Sequence, residues 1–400
     1  MRTDCVVVGG GPGGMMLALL LARRGVGVTV LEAHKDFDRD FRGDTLHPSI
    51  LELVDQLGFS EELHRLRHNK IYGPTLRTAG GGFSPIDLRR LRTPFPYIML
   101  VPQPRFLELL ESQARRHPSF GLRMSARVRE LIVEDGVVRG VRYDGADGPG
   151  EVRAALTVGA DGRASMVRRL AGIEPIKTSP PMDIFWLRLP HLPEDEHSDR
   201  LRGGFGGGRA LVVFDRIDYW QVGYIFPKGR YQQVRAEGLE ALRRSIVELE
   251  PKFARHVEAL DDWKKCSLLS VESDRCAVWH KPGLLLIGDA AHAMSPVGGV
   301  GINYAVQDAV VAANRLARPL LAGTLASADL AGVQAEREWP IRVIQALQAV
   351  AQKRIIAPAL LAAGRPDVPW FVRAFFRIPY LRDIPARVLA FGVWRVRLEE

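Results

Sequence analysis

The sequence predicts an α/β fold, α+β overall, with a Rossmann-like domain at the N-terminus, a mostly antiparallel β-sheet domain and C-terminal helices. Three observations carry this. The β-branched run Cys5–Val8 leads into the glycine turn Gly9-Gly10-Gly11-Pro12-Gly13-Gly14 and then an apolar helical stretch, Met15 to Arg24. Strand-like segments Ala210–Phe214 and Tyr219–Phe226 flank a turn at Asp215–Asp218. Beyond Pro340 the pattern is helical, with Trp370, Phe371, Phe375, Phe376 and Tyr380 among Arg373, Arg377 and Arg382.

In the N-terminal unit, a second β-rich run, Val26–Leu31, ends at Glu32, which completes a strand–turn–helix–strand–acid order. Gly9 permits the tight turn, Gly11 lets the backbone approach a pyrophosphate, and Gly14 lets the helix pack close to the strand. Gly13 lies in the same turn. The helix start offers free N–H groups to phosphates, and Glu32 can accept hydrogen bonds from a ribose. These features point to a dinucleotide, and the turn alone does not separate FAD from NAD.

Two further strand ends carry polar turns. Thr157-Val158-Gly159-Ala160-Asp161-Gly162-Arg163 precedes a helix with Val167, Arg168 and Arg169; by itself it also reads as an ordinary Asp-Gly turn. Leu284-Leu285-Leu286-Ile287-Gly288-Asp289 is a buried strand ending in Gly-Asp, followed by Pro296, Gly298, Gly299, Gly301 and Asn303 before another helix. A carboxylate at a strand end can bond a polyol, and N–H groups at a helix start can face an electron-accepting ring.

With these three motifs in this order, the chain resembles the group A aromatic hydroxylases, flavoprotein monooxygenases related to p-hydroxybenzoate hydroxylase, over roughly residues 1–340. The resemblance implies non-covalent FAD, NADH or NADPH as a transient co-substrate, and O2. It implies hydroxylation of an aromatic or similarly electron-rich small molecule through a flavin C4a-hydroperoxide. Gly9, Gly11, Gly13, Gly14 and Glu32 would hold the ADP half, and Arg42 would contact the flavin side. Gln103 or Arg105 would meet the FAD linker, and the Val128 backbone the adenine. Asp161 and Gly162 form the DG motif, linked to FAD and NAD(P)H use. Gly288 and Asp289 would serve the ribityl chain, while Pro296, Gly298, Gly299, Gly301 and Asn303 would flank the isoalloxazine. One departure is Asp44, an acid where the family is often apolar.

The resemblance implies a discontinuous FAD-binding domain of residues 1–70, 98–175 and 270–340. A substrate domain would take 71–97 and 176–269, and a helical segment 341–400. Gly203–Gly208 reads as a flexible loop and Glu237–Leu249 as an amphipathic helix. The tail reads as a packed helix pair with arginines reaching solvent; a substrate lid, a dimer contact and a peripheral membrane patch stay open.

The chain has 400 residues, 46% of them apolar, enough for one large core and a smaller one. Its net charge of +9 reads as arginine spread over a solvated surface. There is no compact basic run with interleaved aromatics, so nucleic acid is not an expected partner. Met15–Ala22 is apolar but shorter than a membrane span, and Arg23-Arg24-Gly25 closes it. Cys5, Cys266 and Cys276 form no metal-ligand spacing, so a reducing cytoplasm and no metal are expected.

No catalytic base is identified by sequence. His47, Tyr72, Tyr97, Tyr219 and Tyr224 are candidates by position, and His292 reads as structural. The substrate, the oligomeric state, and hydroxylation against epoxidation or Baeyer–Villiger oxidation stay open. A reductase or dehydrogenase on the same fold, a flavin-dependent halogenase and a non-catalytic flavin-binding protein are the alternatives.

Overall fold

The computed structural model describes residues 1–38, 44–362, 364, 365, 367, 368, 370–378 and 381–399. Its larger sheet has eight strands. Five run parallel in the spatial order Leu284–Leu286, Gly148–Gly159, Arg2–Val8, Val28–Leu31 and Phe120–Arg123. The Gly148–Gly159 strand plays two parts. Its first half pairs antiparallel with Val137–Gly145, and its second half joins the parallel core. The central strand runs are mostly apolar because both faces are covered, with Thr29 and Thr157 the buried polar exceptions.

The helix Pro12–Arg23 is buried from Gly13 to Ala22. It is hydrophobic all round because it lies between the sheet and other helices, including Gly301–Ala322. That explains the apolar run that imitates a signal peptide. Among the described residues no helix is long and apolar enough to cross a membrane.

The second sheet has seven strands, in the order Cys266–Ser270, Met182–Pro190, Tyr219–Pro227, Arg209–Asp215, Leu201–Gly206, Pro74–Thr78 and Gly81–Phe83. All its pairings are antiparallel except Leu201–Gly206 with Pro74–Thr78. Alternation sorts its side chains. Phe185, Leu187, Trp220, Val222 and Tyr224 pack against Leu242, Ile246 and Leu249 of the helix Leu239–Leu249. On the opposite face Trp186, Phe205 and Ile225 are half-buried and share a cluster with Val297.

Two local expectations change. Gly203–Gly206 is strand, not flexible loop, because all four residues pair with the Arg209–Asp215 strand and Gly203 and Gly204 also pair with Pro74–Thr78. Only Gly207 and Gly208, at φ 57° and 74°, form the turn. Composition misled here: a Cβ on Gly203 would meet Leu211 O at 3.1 Å and Leu76 at 3.2 Å, so the glycine serves close packing. The tail is not a helix pair. Pro340 lies inside one helix, Ser327–Ala351, and short helices Ala357–Leu361, Trp370–Phe375 and Asp383–Phe391 follow it. Prolines and glycines keep these pieces short. Ala386 and Ala390 of the last helix pack on Ile71, Leu88 and Ile98, at the junction of the two sheets.

Candidate active site

The three motifs sit at the C-terminal ends of adjacent parallel strands, where open α/β sheets bind ligands. Backbone geometry welds them together. Ala160 N donates to Val8 O at 2.8 Å, and Ile287 N to Gly159 O at 2.9 Å. Gly9 has φ +106°, and a Cβ there would lie 2.4 Å from Ala160 O. A Cβ on Gly14 would lie 2.1 Å from Gly9 O and 3.2 Å from Val7, so helix and strand touch only because this residue has no side chain. Gly13 and Gly288 both abut Ala305, which brings the first and third motifs onto the helix Gly301–Ala322. At Gly11 a Cβ would meet nothing within 4 Å, so that face of the turn is open to a ligand.

Glu32 is buried, and its Oε2 accepts from Gly10 N at 2.7 Å while Oε1 accepts from His34 N at 3.0 Å. Ala126 N donates to Glu32 O, which sets Val128, in the strand Arg127–Glu134, close to the acid. The Asp161 carboxylate turns inward. It accepts from Ser165 Oγ, Met166 N and Val167 N at 2.5, 2.7 and 3.0 Å, and burial raises its pKa. Gly162, at φ +79°, makes the turn. The residue of this motif that reaches the third is Arg163, whose Nε lies 3.2 Å from Asp289 Oδ2.

After Asp289 comes the turn Pro296–Gly299, with Gly298 and Gly299 at φ 83° and 64°. Thr45 Oγ1 donates to Gly299 O at 3.1 Å. Asn303 Oδ1 accepts from His47 N at 3.3 Å, while its buried Nδ2 has no hydrogen-bond partner among the described residues. A Cβ on Gly301 would meet nothing within 4 Å. His47 is wholly buried beside Gly299, and burial lowers its pKa to about 4. Its ring is therefore neutral near pH 7. Nδ1 lies 2.7 Å from Leu389 O, and Nε2 faces the Gly299 backbone with no hydrogen-bond partner among the described residues. An open cradle at Gly11, orphaned polar atoms at Asn303 and His47, and a glycine-rich helix start fit a dinucleotide with a ring at its far end.

The other candidates lie elsewhere or hold structural partners. Gln103 begins the helix Gln103–Ala114, and its N–H donates to Asp44 Oδ1 at 3.1 Å. Arg105 is exposed and pairs with Glu108. Tyr97 OH lies 2.8 Å from His64 Nε2, and burial raises its pKa. Tyr72 is covered by Arg89, and Tyr219 by Arg188. Tyr224 is on the helix-covered face of the second sheet, bonded to Ser245. His292 lies 2.6 Å from Asp308, which also takes Arg337 Nε at 2.8 Å in a fully buried network. Arg42 lies outside the described residues.

Several residues were not found by sequence. Asp44 Oδ2 accepts from Arg216 Nη2 at 2.8 Å, a largely buried tie between the Thr45 strand and the second sheet. This explains the acid at position 44. Gln345, Gln348 and Gln352 follow one helix face and donate to the segment before and within the glycine turn. Gln348 Nε2 reaches Ser295 O and Val297 O at 3.0 and 2.8 Å. Gln345 Nε2 reaches Asp274 O, and Gln352 Nε2 reaches Ser295 Oγ. The spacing of the glutamines was the only available signal.

The sequence pattern of the FAD binding domain family matches residues 2–341. The chain is 35% identical over 400 residues to 6-methylpretetramide 4-monooxygenase of Streptomyces rimosus, covering 99% of this chain and 94% of that protein. It is 31% identical over 351 residues to 12-dehydrotetracycline 5-monooxygenase/anhydrotetracycline 6-monooxygenase of the same species, covering 84% and 67%. The solved structure of the anhydrotetracycline hydroxylase OxyS of S. rimosus aligns with TM-score 0.75 at 26% identity, over 100% of this chain and 78% of that one. PqsL of Pseudomonas aeruginosa shares the fold, with TM-score 0.76 at 23% identity over 90% and 100%. On this motif geometry and these likenesses, the chain belongs to the FAD-binding group A flavoprotein monooxygenases and is a FAD-dependent monooxygenase.

Proposed function

We propose that the enzyme hydroxylates a flat, fused-ring phenolic compound held between the Pro296–Gly299 turn and the Trp186/Phe214 face of the second sheet. The observation that carries this is that face: Trp186 and Phe214 are half-buried, 6.1 Å apart, and share their side of the sheet with Val297's neighbours. The likeness to a pretetramide monooxygenase over nearly the whole chain supports the same substrate class. When bound, FAD supplies electron transfer from NAD(P)H and activation of O2.

The chain's own residues place and dry the site. Val297 and Leu389 bring apolar surface to the glycine turn. Neutral His47 offers Nε2 as a hydrogen-bond partner for the ring or a substrate hydroxyl. Asp289 and Arg163 together meet the polar linker of the cofactor, and Gly11 the pyrophosphate. In this reading residues 1–70, 98–175 and 270–340 serve the cofactor, and 71–97 and 176–269 the substrate. A cytoplasmic setting agrees with three unpaired cysteines.

The test is NAD(P)H and O2 consumption with single-ring phenols against tricyclic and tetracyclic phenols. We expect kcat/KM to favour the fused rings by about tenfold or more. Equal or better turnover of single rings would defeat the substrate assignment. Flavin reduction without substrate-linked O2 uptake would defeat the oxygenation step.

A further inference from the structure

At one end of the second sheet, two histidines of a connection meet an aspartate at the end of a strand. His191 follows the strand Met182–Pro190, His197 lies in the connection after it, and Asp215 ends the strand Arg209–Asp215. We propose that these residues form a binding site for a divalent first-row metal ion of the zinc type.

His191 Nε2 lies 3.2 Å from Asp215 Oδ1, and His197 Nδ1 lies 3.2 Å from Asp215 Oδ2. The ligand atoms all lie within 4.8 Å of one another. Zinc bonds to nitrogen and carboxylate oxygen are about 2.0–2.2 Å, so the edge of a tetrahedral site is about 3.3–3.5 Å. The two N···O separations are close to that edge. The remaining N···N gap closes by rotation of His197, which is 63% exposed and free to move.

The surroundings are those of a supported site. Asp215 is fully buried and fixed by Ser198 N at 2.7 Å and Ile217 N at 2.8 Å. His191 stacks on Trp220, with centroids 4.4 Å apart. Its other nitrogen, Nδ1, faces Asp195 Oδ2 at 3.7 Å, a carboxylate held by Leu192 N and Trp220 Nε1. Asp195 and Asp215 flank the two ring nitrogens of His191, and Lys252 lies over the Trp220 ring on which His191 stacks. Three protein ligands leave the fourth position to water on the exposed His197 side.

A metal here would clip the connection 191–200 to the sheet, one residue from Arg216 and its tie to Asp44. The proposal is independent of the substrate assigned above. It is tested by calorimetric titration of ZnCl2 into untagged, FAD-loaded protein, with thermal melting in parallel. Wild type should bind one ion per chain with Kd of about 10 µM or tighter, and its Tm should rise. His197→Ala, a surface change that leaves Asp215 in place, should weaken binding by about thirtyfold or more and abolish the Tm rise. His191→Gln should do the same, while His280→Ala should not. Absence of binding at about 1 mM zinc, or equal binding by wild type and His197→Ala, would overturn the site.

Discussion

Gly11 and Gly14 belong to one turn but answer to different constraints. Gly14 has no room for a methyl group, since a Cβ would lie 2.1 Å from Gly9 O, whereas Gly11 faces open space. Gly14→Ala should therefore destabilise the FAD-free protein by about 1–3 kcal/mol, read by urea unfolding. Gly11→Val should leave that stability nearly unchanged and raise the Kd for FAD by roughly thirtyfold, about 2 kcal/mol, read by flavin titration. Should Gly11→Val bind FAD normally, the pyrophosphate assignment fails. His47 gives a pH prediction. Its folded pKa is lowered to about 4, against 6.5 unfolded, so its contribution is intact above pH 6.5. As pH falls from 6.5 to about 4 the unfolded chain takes the proton first, and roughly 3 kcal/mol is lost. By pH 5 about 2 kcal/mol of this is already lost, so denaturant midpoints at pH 7.5 and pH 5 should show that difference in wild type and much less of it in His47→Gln. At this scale the sequence was most legible where backbone geometry demands glycine, as at Gly9 and Gly14. It named His47 only by position among four tyrosines, because what singles it out is a carbonyl at Leu389, far along the chain.

The helix Ser327–Ala351 and the π-helical turn Gln352–Ile356 act as a backing plate for the glycine turn. Their glutamines satisfy carbonyls that an irregular buried segment would otherwise leave unpaired. Gln348→Leu strands two of them, Ser295 O and Val297 O, and should cost about 1–3 kcal/mol. It should also lower the product formed per NAD(P)H consumed, measured by oxygen electrode with product assay; an unchanged ratio would make these bonds purely structural. Arg337→Met leaves the buried Asp308 without its cation and should cost about 3–5 kcal/mol in chemical unfolding. Strands and helices with strong periodicity, such as Arg2–Val8 and Leu239–Leu249, were readable from sequence. Gly203–Gly206 was not, because its partners and not its composition make it a strand. The three glutamines gave no signal beyond their spacing, since polar residues on a helix usually face water.

Across the whole molecule, the Asp44–Arg216 pair connects the cofactor side to the second sheet. Asp44→Ala and Arg216→Ala should each destabilise by about 2–4 kcal/mol, and the double variant by much less than their sum. A purely additive result in urea unfolding would show that the two side chains act separately. Their meeting was invisible in the sequence because 172 positions separate them.

The cradle welded from Gly9, Asp161 and Asp289 also sets a schedule for synthesis. Its third part comes from residues 288–303, and Asp308, which accepts from Gly288 N, is held in turn by Arg337 and His292. No early stretch of the nascent chain owns the pocket. Flavin capture should follow release of most of the polypeptide from the ribosome, so that yellow colour reports on completed chains and not on fragments.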